Sequence, residues 1–287
     1  MTSDLTGRRV LITGAARGIG AATAQRLHAR GARLVLAGIE PDELARTAAR
    51  CGDALALVCD VRDREQVAAA VEAASEHLRG LDVVVANAGV AVQLPLIGGD
   101  PELFERTIDV NLLGVYYTLR AAGPHIAHDR GYALTIASLA AAVHAPLLGA
   151  YSASKAGVEA LADTLRIELA PSGARVGVAY FAELDTDMVR QGLGTAAAKR
   201  IAEISRPGRR VTPLKVGIDA IERGIARRSR RVVAPRWVAA ALPMRVLVQR
   251  GVELATRGAI EDVLEIARAE DAPLTTPQPD VHMRSRS

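Results

Sequence analysis

Apolar residues recur along this chain in two alternating patterns: short β-branched or leucine-rich runs, and longer alanine-rich stretches with helical spacing. The short runs, near 8–13, 32–37, 54–59, 81–86, 131–137, 174–181 and 231–235, read as strands. The helical patterns fill about 18–30, 41–51, 63–79, 101–127, 150–170 and 213–228. Strands alternating with helices specify parallel pairing through crossover connections, and so an α/β, doubly wound parallel sheet of about seven strands. No Pro-, Gly- or Ser-rich linker and no internal repeat divides residues 1–235, which read as one domain. Residues 188–212 read as an insertion after the sixth strand, 236–270 as a helical extension and 271–287 as a disordered tail.

Composition supports that architecture. A length of 287 residues suits one large α/β domain. Hydrophobic residues make up 49% of the chain but aromatic ones only 3%. The core must therefore be built from Ala, Val, Leu and Ile, as parallel strands covered on both faces require. The net charge of +4 is too mild to argue for nucleic acid, and the stacking aromatics of a single-strand binder are missing. Cys51 and Cys59 match no metal or redox spacing and read as buried thiols in a reducing compartment. His125 and His128 lie one turn apart without a third ligand in view, so no metal is expected. With neither a signal-peptide layout nor a bilayer-spanning apolar run, the expected location is the cytoplasm.

Candidate chemistry begins at the first strand–helix junction, Thr13-Gly14-Ala15-Ala16-Arg17-Gly18-Ile19-Gly20. Its glycines suit a tight turn, close approach of a pyrophosphate and close helix–strand packing, while the helix N-terminus offers N–H groups to phosphates. Two further strand ends fit a dinucleotide: Asp60, with Val61 beside it, after the third strand, and Asn87-Ala88-Gly89 after the fourth. Ligands of doubly wound sheets bind at such carboxyl ends. Asp60 is placed either to accept from an adenine amino group or to cap the next helix. Asn87 is also an ordinary turn residue.

Tyr151 and Lys155 lie four residues apart in a helical pattern and so share one face. Lysine is scarce here, with only Lys155, Lys199 and Lys215, which makes the pair informative. A phenol with a pKa near ~10 is a poor base at neutral pH, but a nearby ammonium and an oxidised nicotinamide favour the phenolate. Ser138 ends the fifth strand, where its hydroxyl can hold and orient a substrate oxygen. Asn111 is unfavourable inside an apolar helical segment. It either caps a kink or holds, through its amide, a water that links Lys155 to solvent.

With these motifs in this order, the chain resembles the short-chain dehydrogenase/reductase family from about Arg8 to Pro235. The resemblance implies a Rossmann-like fold, an NAD(P) cofactor and hydride transfer between nicotinamide and a carbonyl/alcohol pair. It implies Tyr151 as the acid/base and Lys155 as the residue that binds the nicotinamide ribose and tunes Tyr151. Ser138 would hold the substrate oxygen, Asn111 would support a proton relay, and Thr186 would reach the nicotinamide carboxamide or a phosphate. Members commonly form tetramers or dimers through the helices at about 101–127 and 150–170. Two departures stand out. Ala86 replaces the first Asn of N-N-A-G, and Phe181-Ala182 replace a Pro-Gly pair, altering the backbone beside the ring. The alternative is a catalytically silent nucleotide-binding sensor on the same fold, against which the intact Asn–Ser–Tyr–Lys set argues.

The substrate end is less defined. The loop after Ser138, Leu139 to Pro146, is small and apolar, leaving space for a bulky apolar group such as a lipid or sterol. Phe181, Glu183 and Leu184 are expected to line that pocket, with 188–212 as a lid. His144 reads either as a substrate contact or as a solvent-facing loop residue. At the ribose end, Gly38 lacks the carboxylate that selects NAD, and Arg17 offers a guanidinium to a 2′-phosphate. Glu40, before Pro41, is expected to face solvent. These positions predict a slight preference for NADP. The Arg-studded, apolar stretch that follows Trp237 reads either as a membrane-surface contact or as packing against a subunit or over the pocket.

Overall fold

The runs Val10-Leu11-Ile12, Leu34-Val35-Leu36 and Val83-Val84-Val85 are apolar at every position, as strands covered on both faces must be. In a computed structural model describing residues 5–205, 211–270 and 274–275, these and four other runs form one parallel sheet. The strands are β1 (Arg9–Thr13), β2 (Arg33–Gly38), β3 (Leu55–Val58), β4 (Val83–Ala86), β5 (Tyr132–Ile136), β6 (Arg175–Phe181) and β7 (Arg231–Ala234). Their spatial order is β3-β2-β1-β4-β5-β6-β7, so the chain changes direction across the sheet between β1 and β4. Leu11 pairs with Val35 on one side and Val84 on the other.

Interleaved with the strands are α1 (Gly18–His28), α2 (Pro41–Ala49), α3 (Arg64–Leu78), α4 (Pro101–Ile108), α5 (Gly114–Ile126) and α6 (Gly149–Glu168). Then come α7 (Asp187–Gly194), α8 (Ala196–Ser205), α9 (Leu214–Arg227), α10 (Val238–Ala241), α11 (Arg245–Thr256) and α12 (Ile260–Ala269). Successive strand residues point to opposite faces. Val10 and Ile12 accordingly join Leu27 of α1, Leu44 of α2 and Ile221 of α9 in one layer. Leu11 joins Val71 of α3, Leu119 of α5 and Val158 of α6 in the other. Each such leucine or isoleucine contributes roughly 1.5–3 kcal/mol on burial.

The helical pattern over 101–127 is not one helix. Asp109–Leu113 forms a π-turn between α4 and α5, in which Gly114 N–H donates to the Asp109 carbonyl. Such a turn inserts one residue and re-aims the side chains around it. Here it carries Asn111 into full burial. Directly after it, Gly114 lets the helix press on the corner after β3, since a Cβ there would lie 2.7 Å from Val61 Cγ2.

The C-terminal extension is part of the same body. Val238 and Ala241 of α10 are buried against the α3/α5/α6 layer, and Arg245 of α11 meets Glu159 of α6 at 3.7 Å. Val263 of α12 packs with Ala197 of α8 and Leu147. The Glu270 carboxylate accepts from the N–H groups of Ala196 and Ala197 at 2.9 and 3.3 Å, capping α8. The 188–212 insertion is thus tied to the extension. Its residues 206–210 lie outside the described residues, as do 271–273 and 276–287 of the tail expected to be disordered. The tail residues that are described, Leu274 and Thr275, are docked. Thr275 is buried, donates its N–H to Ala91 O at 3.0 Å and accepts from Ala91 N–H on Oγ1 at 2.9 Å. Among the described residues, no helix is long and apolar enough to cross a membrane.

Candidate active site

The carboxyl ends of β1 to β6 open into one cleft, at the point where the strand order reverses. Its nucleotide half depends on close backbone approach. Gly14 has φ +63, and a Cβ there would lie 2.6 Å from Ala88 Cα; at Gly20 it would lie 2.1 Å from Gly14 O. Any larger residue would force β1, α1 and the loop after β4 apart. Thr13 Oγ1 accepts from the N–H groups of Asn87 and Ala88 at 3.1 and 3.3 Å. Asn87 Nδ2 returns bonds to the carbonyls of Thr13 and Gly14 at 2.9 and 3.0 Å, so its side chain braces the cradle. The first turn of α1 has no acidic residue and no side-chain cap, leaving its N–H groups to an anion. Gly18 and Ile19 of that turn line the cleft. The cradle fits a dinucleotide pyrophosphate.

At the adenosine end, Asp60 and Val61 line the cleft. Asp60 does not cap α3; that role falls to Asp63, which accepts from Glu65 and Gln66 N–H. The Asp60 carboxylate is instead clasped by Arg62, with Nε at 3.0 Å and Nη2 at 2.6 Å. Arg17 and Glu40 depart from expectation. Glu40 faces the cleft beside Gly38 rather than solvent, and its Oε2 accepts from Arg17 Nε at 2.9 Å. The pairing follows from position: Glu40 precedes α2 without capping it, so its side chain is left to reach the cation on the adjoining loop.

At the chemical end, β5 delivers Ser138 and the first turns of α6 deliver Tyr151 and Lys155 to the same floor. Tyr151 and Ser138 line the same part of the cleft, and the serine hydroxyl acts to lower the phenol's pKa. Ser138 Oγ also accepts from Ala140 N–H at 3.1 Å and lies 3.4 Å from the Phe181 carbonyl. The Phe181 that replaces the expected proline thus helps orient the serine through its backbone. Lys155 Nζ lies 5.6 Å from the Tyr151 ring centre and donates to Ile136 O at 2.8 Å, with two N–H donors left. Gly89 keeps space open, since a Cβ there would sit 3.4 Å from Lys155 Nζ and 3.2 Å from Asn111 Oδ1.

Asn111 lies inside the π-turn. Its amide is spent on protein: Oδ1 accepts from Val90 N–H at 2.8 Å, and Nδ2 donates to Val90 O at 2.9 Å and Ser154 Oγ at 3.1 Å. Ser154 in turn donates to Tyr151 O at 2.7 Å. Asn111 therefore ties the loop after β4 to the helix that carries the tyrosine and lysine.

Burial governs the protonation of both groups. It pushes the Tyr151 phenol above its usual value, with the Ser138 hydroxyl pulling the other way. It pulls the Lys155 ammonium down to about 8. Both shifts favour the neutral forms, so this protein keeps a proton on the phenol and a loosely held one on the lysine.

The substrate half of the cleft is apolar. Leu139, Phe181 and Leu184 line this end of the cleft, with Glu183 and Thr186 beside them. Thr186 is also the cap of α7, accepting from Val189 N–H at 3.3 Å. His144 stands where the second of its two readings put it, as an outward-facing loop residue. Its backbone is held by Gln249 of α11, its ring Nδ1 lies 3.1 Å from Ala140 O, and it faces an outer groove rather than the cleft. Val252 and Thr256 of α11, Ile201 of α8 and Thr275 also line the cleft. The lid expected over 188–212 covers Ile201 and the over-the-pocket reading of the extension covers Val252 and Thr256, whereas no sequence pattern pointed to Thr275.

A Tyr–Lys–Ser set at the floor of a dinucleotide cleft defines an oxidoreductase acting on a CH–OH/C=O pair. Comparison with known proteins agrees. The short chain dehydrogenase family model matches residues 8–197, and the chain belongs to the short-chain dehydrogenase/reductase family. It is 34% identical over 210 residues to 3beta-hydroxysteroid dehydrogenase 1 of Eggerthella lenta, covering 71% of this chain and 80% of that one. It is 35% identical over 206 residues to glycine betaine reductase ATRR of Emericella nidulans, covering 70% of this chain but spanning only 16% of that protein. The crystal structure of a 3-ketoacyl-(acyl-carrier-protein) reductase from Brucella melitensis, complexed with NADH, superposes with TM-score 0.71 at 28% identity. That match covers 80% of this chain and 97% of the reductase. The chain is an NAD(P)-dependent oxidoreductase with the family's seven-stranded sheet.

Proposed function

We propose that the protein interconverts a secondary alcohol and its ketone on a bulky, apolar skeleton, with Tyr151 as acid/base and Ser138 as the group that holds the reacting oxygen. The observation that carries this reading is the meeting of Ser138, Tyr151 and Lys155 on the floor of a cleft whose outer half is walled by Leu139, Val143, Leu148, Phe181 and Val252. A bound nicotinamide supplies the hydride acceptor in oxidation and the donor in reduction. In the reducing direction, the two hydroxyls donate to the carbonyl oxygen, and Tyr151 passes its proton to that oxygen as it becomes an alkoxide. In the oxidising direction, Tyr151 must first be a phenolate and then takes the alcohol proton. Lys155, with its spare N–H donors, stabilises that phenolate. Asn111 acts as a positioning residue, holding Val90 against α6. The name of the Eggerthella relative, a hydroxysteroid dehydrogenase, accords with an alicyclic substrate.

The slight NADP preference expected from Gly38 and Arg17 needs a free guanidinium. With Arg17 held by Glu40, a 2′-phosphate meets a carboxylate, and NAD is the cofactor this arrangement favours. Subunit contact is assigned to the outward faces of α5 and α6, where Tyr116 and Ile167 are exposed.

The test is a panel of alicyclic and aliphatic ketones and alcohols, read by NAD(P)H absorbance with both cofactors. Turnover of bulky apolar ketones above small polar ones supports the proposal. Tight cofactor binding without turnover of any ketone would establish the sensor instead.

A further inference from the structure

A second, open groove runs along the outside of the cleft. Its walls are Leu96 and Ile97 of the loop after β4, Leu147 of the loop before α6, Leu254 of α11, and Ile260 and Leu264 of α12. Leu96, Ile97 and Leu254 are 72%, 83% and 58% exposed, so three large apolar side chains stand in water on one feature. Isolated exposed apolar residues are ordinary; a lined groove of them marks a binding surface.

Two observations say what the groove binds. First, Ala145, Pro146 and Thr256 face both the groove and the cleft, so an apolar body seated at Tyr151 and too long for the cleft meets only small side chains on its way outward. Second, the far rim carries Arg250, Arg257 and Arg268. Arg250 pairs with Glu253 at 3.3 Å, the one carboxylate on this rim. Arg257 and Arg268 are exposed and have no ion pair among the described residues. A guanidinium presents two parallel N–H donors, the geometry that carboxylate, sulfate and phosphate groups accept.

We infer that the substrate is an amphiphile: its reacting oxygen at Ser138 and Tyr151, its apolar length along the groove, and an anionic group at the distal end on Arg257 and Arg268. This rests on the ketone/alcohol reading of the cleft and adds the far end of the molecule. Specificity then resides in the C-terminal extension, while the chemistry resides in β5 and α6.

The test compares cyclohexanone, a long-chain ketone ending in a carboxylate and the methyl ester of that acid, using wild type and the double variant Arg257→Glu/Arg268→Glu. The expected result is a KM about tenfold lower for the acid than for the ester in wild type, the worth of one charged hydrogen bond. That advantage should vanish in the double variant and in high salt, with cyclohexanone turnover unchanged. Equal KM for acid and ester in wild type, or an equal loss on cyclohexanone, overturns the inference. A fluorescent long-chain carboxylate provides a readout without turnover. Its binding to wild type but not to the variant supports the groove even if no ketone reacts, an outcome that would count against the catalytic reading alone. Flotation with anionic phosphatidylserine vesicles tests the other occupant. Arginine-dependent vesicle binding, with no discrimination between acid and ester, makes the groove a membrane contact and overturns the amphiphile.

Discussion

Arg17 and Glu40 form an ion pair across the ribose end of the cleft, with Nε to Oε2 at 2.9 Å. The pair sets two opposing elements of cofactor selection against each other. Glu40→Gln should release the guanidinium and raise kcat/KM for NADP relative to NAD by about tenfold, the worth of one charged hydrogen bond. Gly38→Asp should move the ratio toward NAD by ~1–3 kcal/mol. The added Cβ meets Leu44 Cδ1 at 3.5 Å and Ala16 Cβ at 3.7 Å, ordinary contacts, so the variant should fold. Steady-state kinetics with both cofactors decide the matter, and an unmoved ratio in both variants would place the ribose elsewhere.

Tyr151→Phe should preserve cofactor binding while kcat falls at least ~10²-fold, the usual worth of a positioned acid/base. Because burial raises the phenol, kcat/KM for alcohol oxidation should climb toward alkaline pH in wild type. Ser138→Ala removes the hydroxyl that lowers it, so the climb should shift to still higher pH. A Ser138→Ala profile superimposable on wild type would mean that the serine does not act on the phenol.

Lys155 should leave a mark on stability as well as on rate. Its folded pKa is depressed to about 8 from 10.5, so between those values the unfolded chain binds a proton that the folded one does not. Stability attributable to this group therefore rises with pH from about 8 to 10.5 and is flat below. The unfolding free energy of wild type relative to Lys155→Met should move in favour of wild type across that window, by at most ~3 kcal/mol. Urea titrations of both proteins at several pH values supply the comparison; a constant difference would show that the lysine is not desolvated.

Asn111→Ala should cost about 2 kcal/mol or more, because the Val90 N–H and C=O lose their buried partner. If the tie to Ser154 positions the tyrosine, kcat should also fall at temperatures where the variant is fully folded, with cofactor affinity little changed. A variant that loses stability but keeps kcat would reduce Asn111 to a structural brace.

The alternation of strand and helix patterns was enough to place all seven strands, because parallel strands buried on both faces read as uninterrupted apolar runs such as Val83-Val84-Val85. The chemical candidates were legible for a different reason: Tyr151 and Lys155 lie one helical turn apart and Ser138 marks a strand end, while the resemblance to a family implied that the three act together. What sequence could not supply was long-range pairing. Nothing in Glu40 announces that it will turn to Arg17, because the partner comes from another strand–helix corner. The π-turn left one sign only, an Asn unfavourable inside an apolar helical pattern, because helical periodicity tolerates one inserted residue. The outward place of His144, and the places of Thr256 and Thr275 in the cleft, depend on how the C-terminal extension packs rather than on its own pattern.

The hydrogen bonds between Thr275 and Ala91 bear on how the enzyme comes into being. The sheet, the nucleotide cradle and the Tyr–Lys–Ser floor are all encoded before residue 236, whereas part of the substrate wall is encoded some forty residues later in the order of synthesis. A chain emerging from the ribosome can therefore assemble its cradle while its substrate chamber still lacks a side. In the order of synthesis the cradle is complete before the cleft is walled, so a chain cut short before Thr275 keeps every residue of the cradle and lacks part of the cleft's wall.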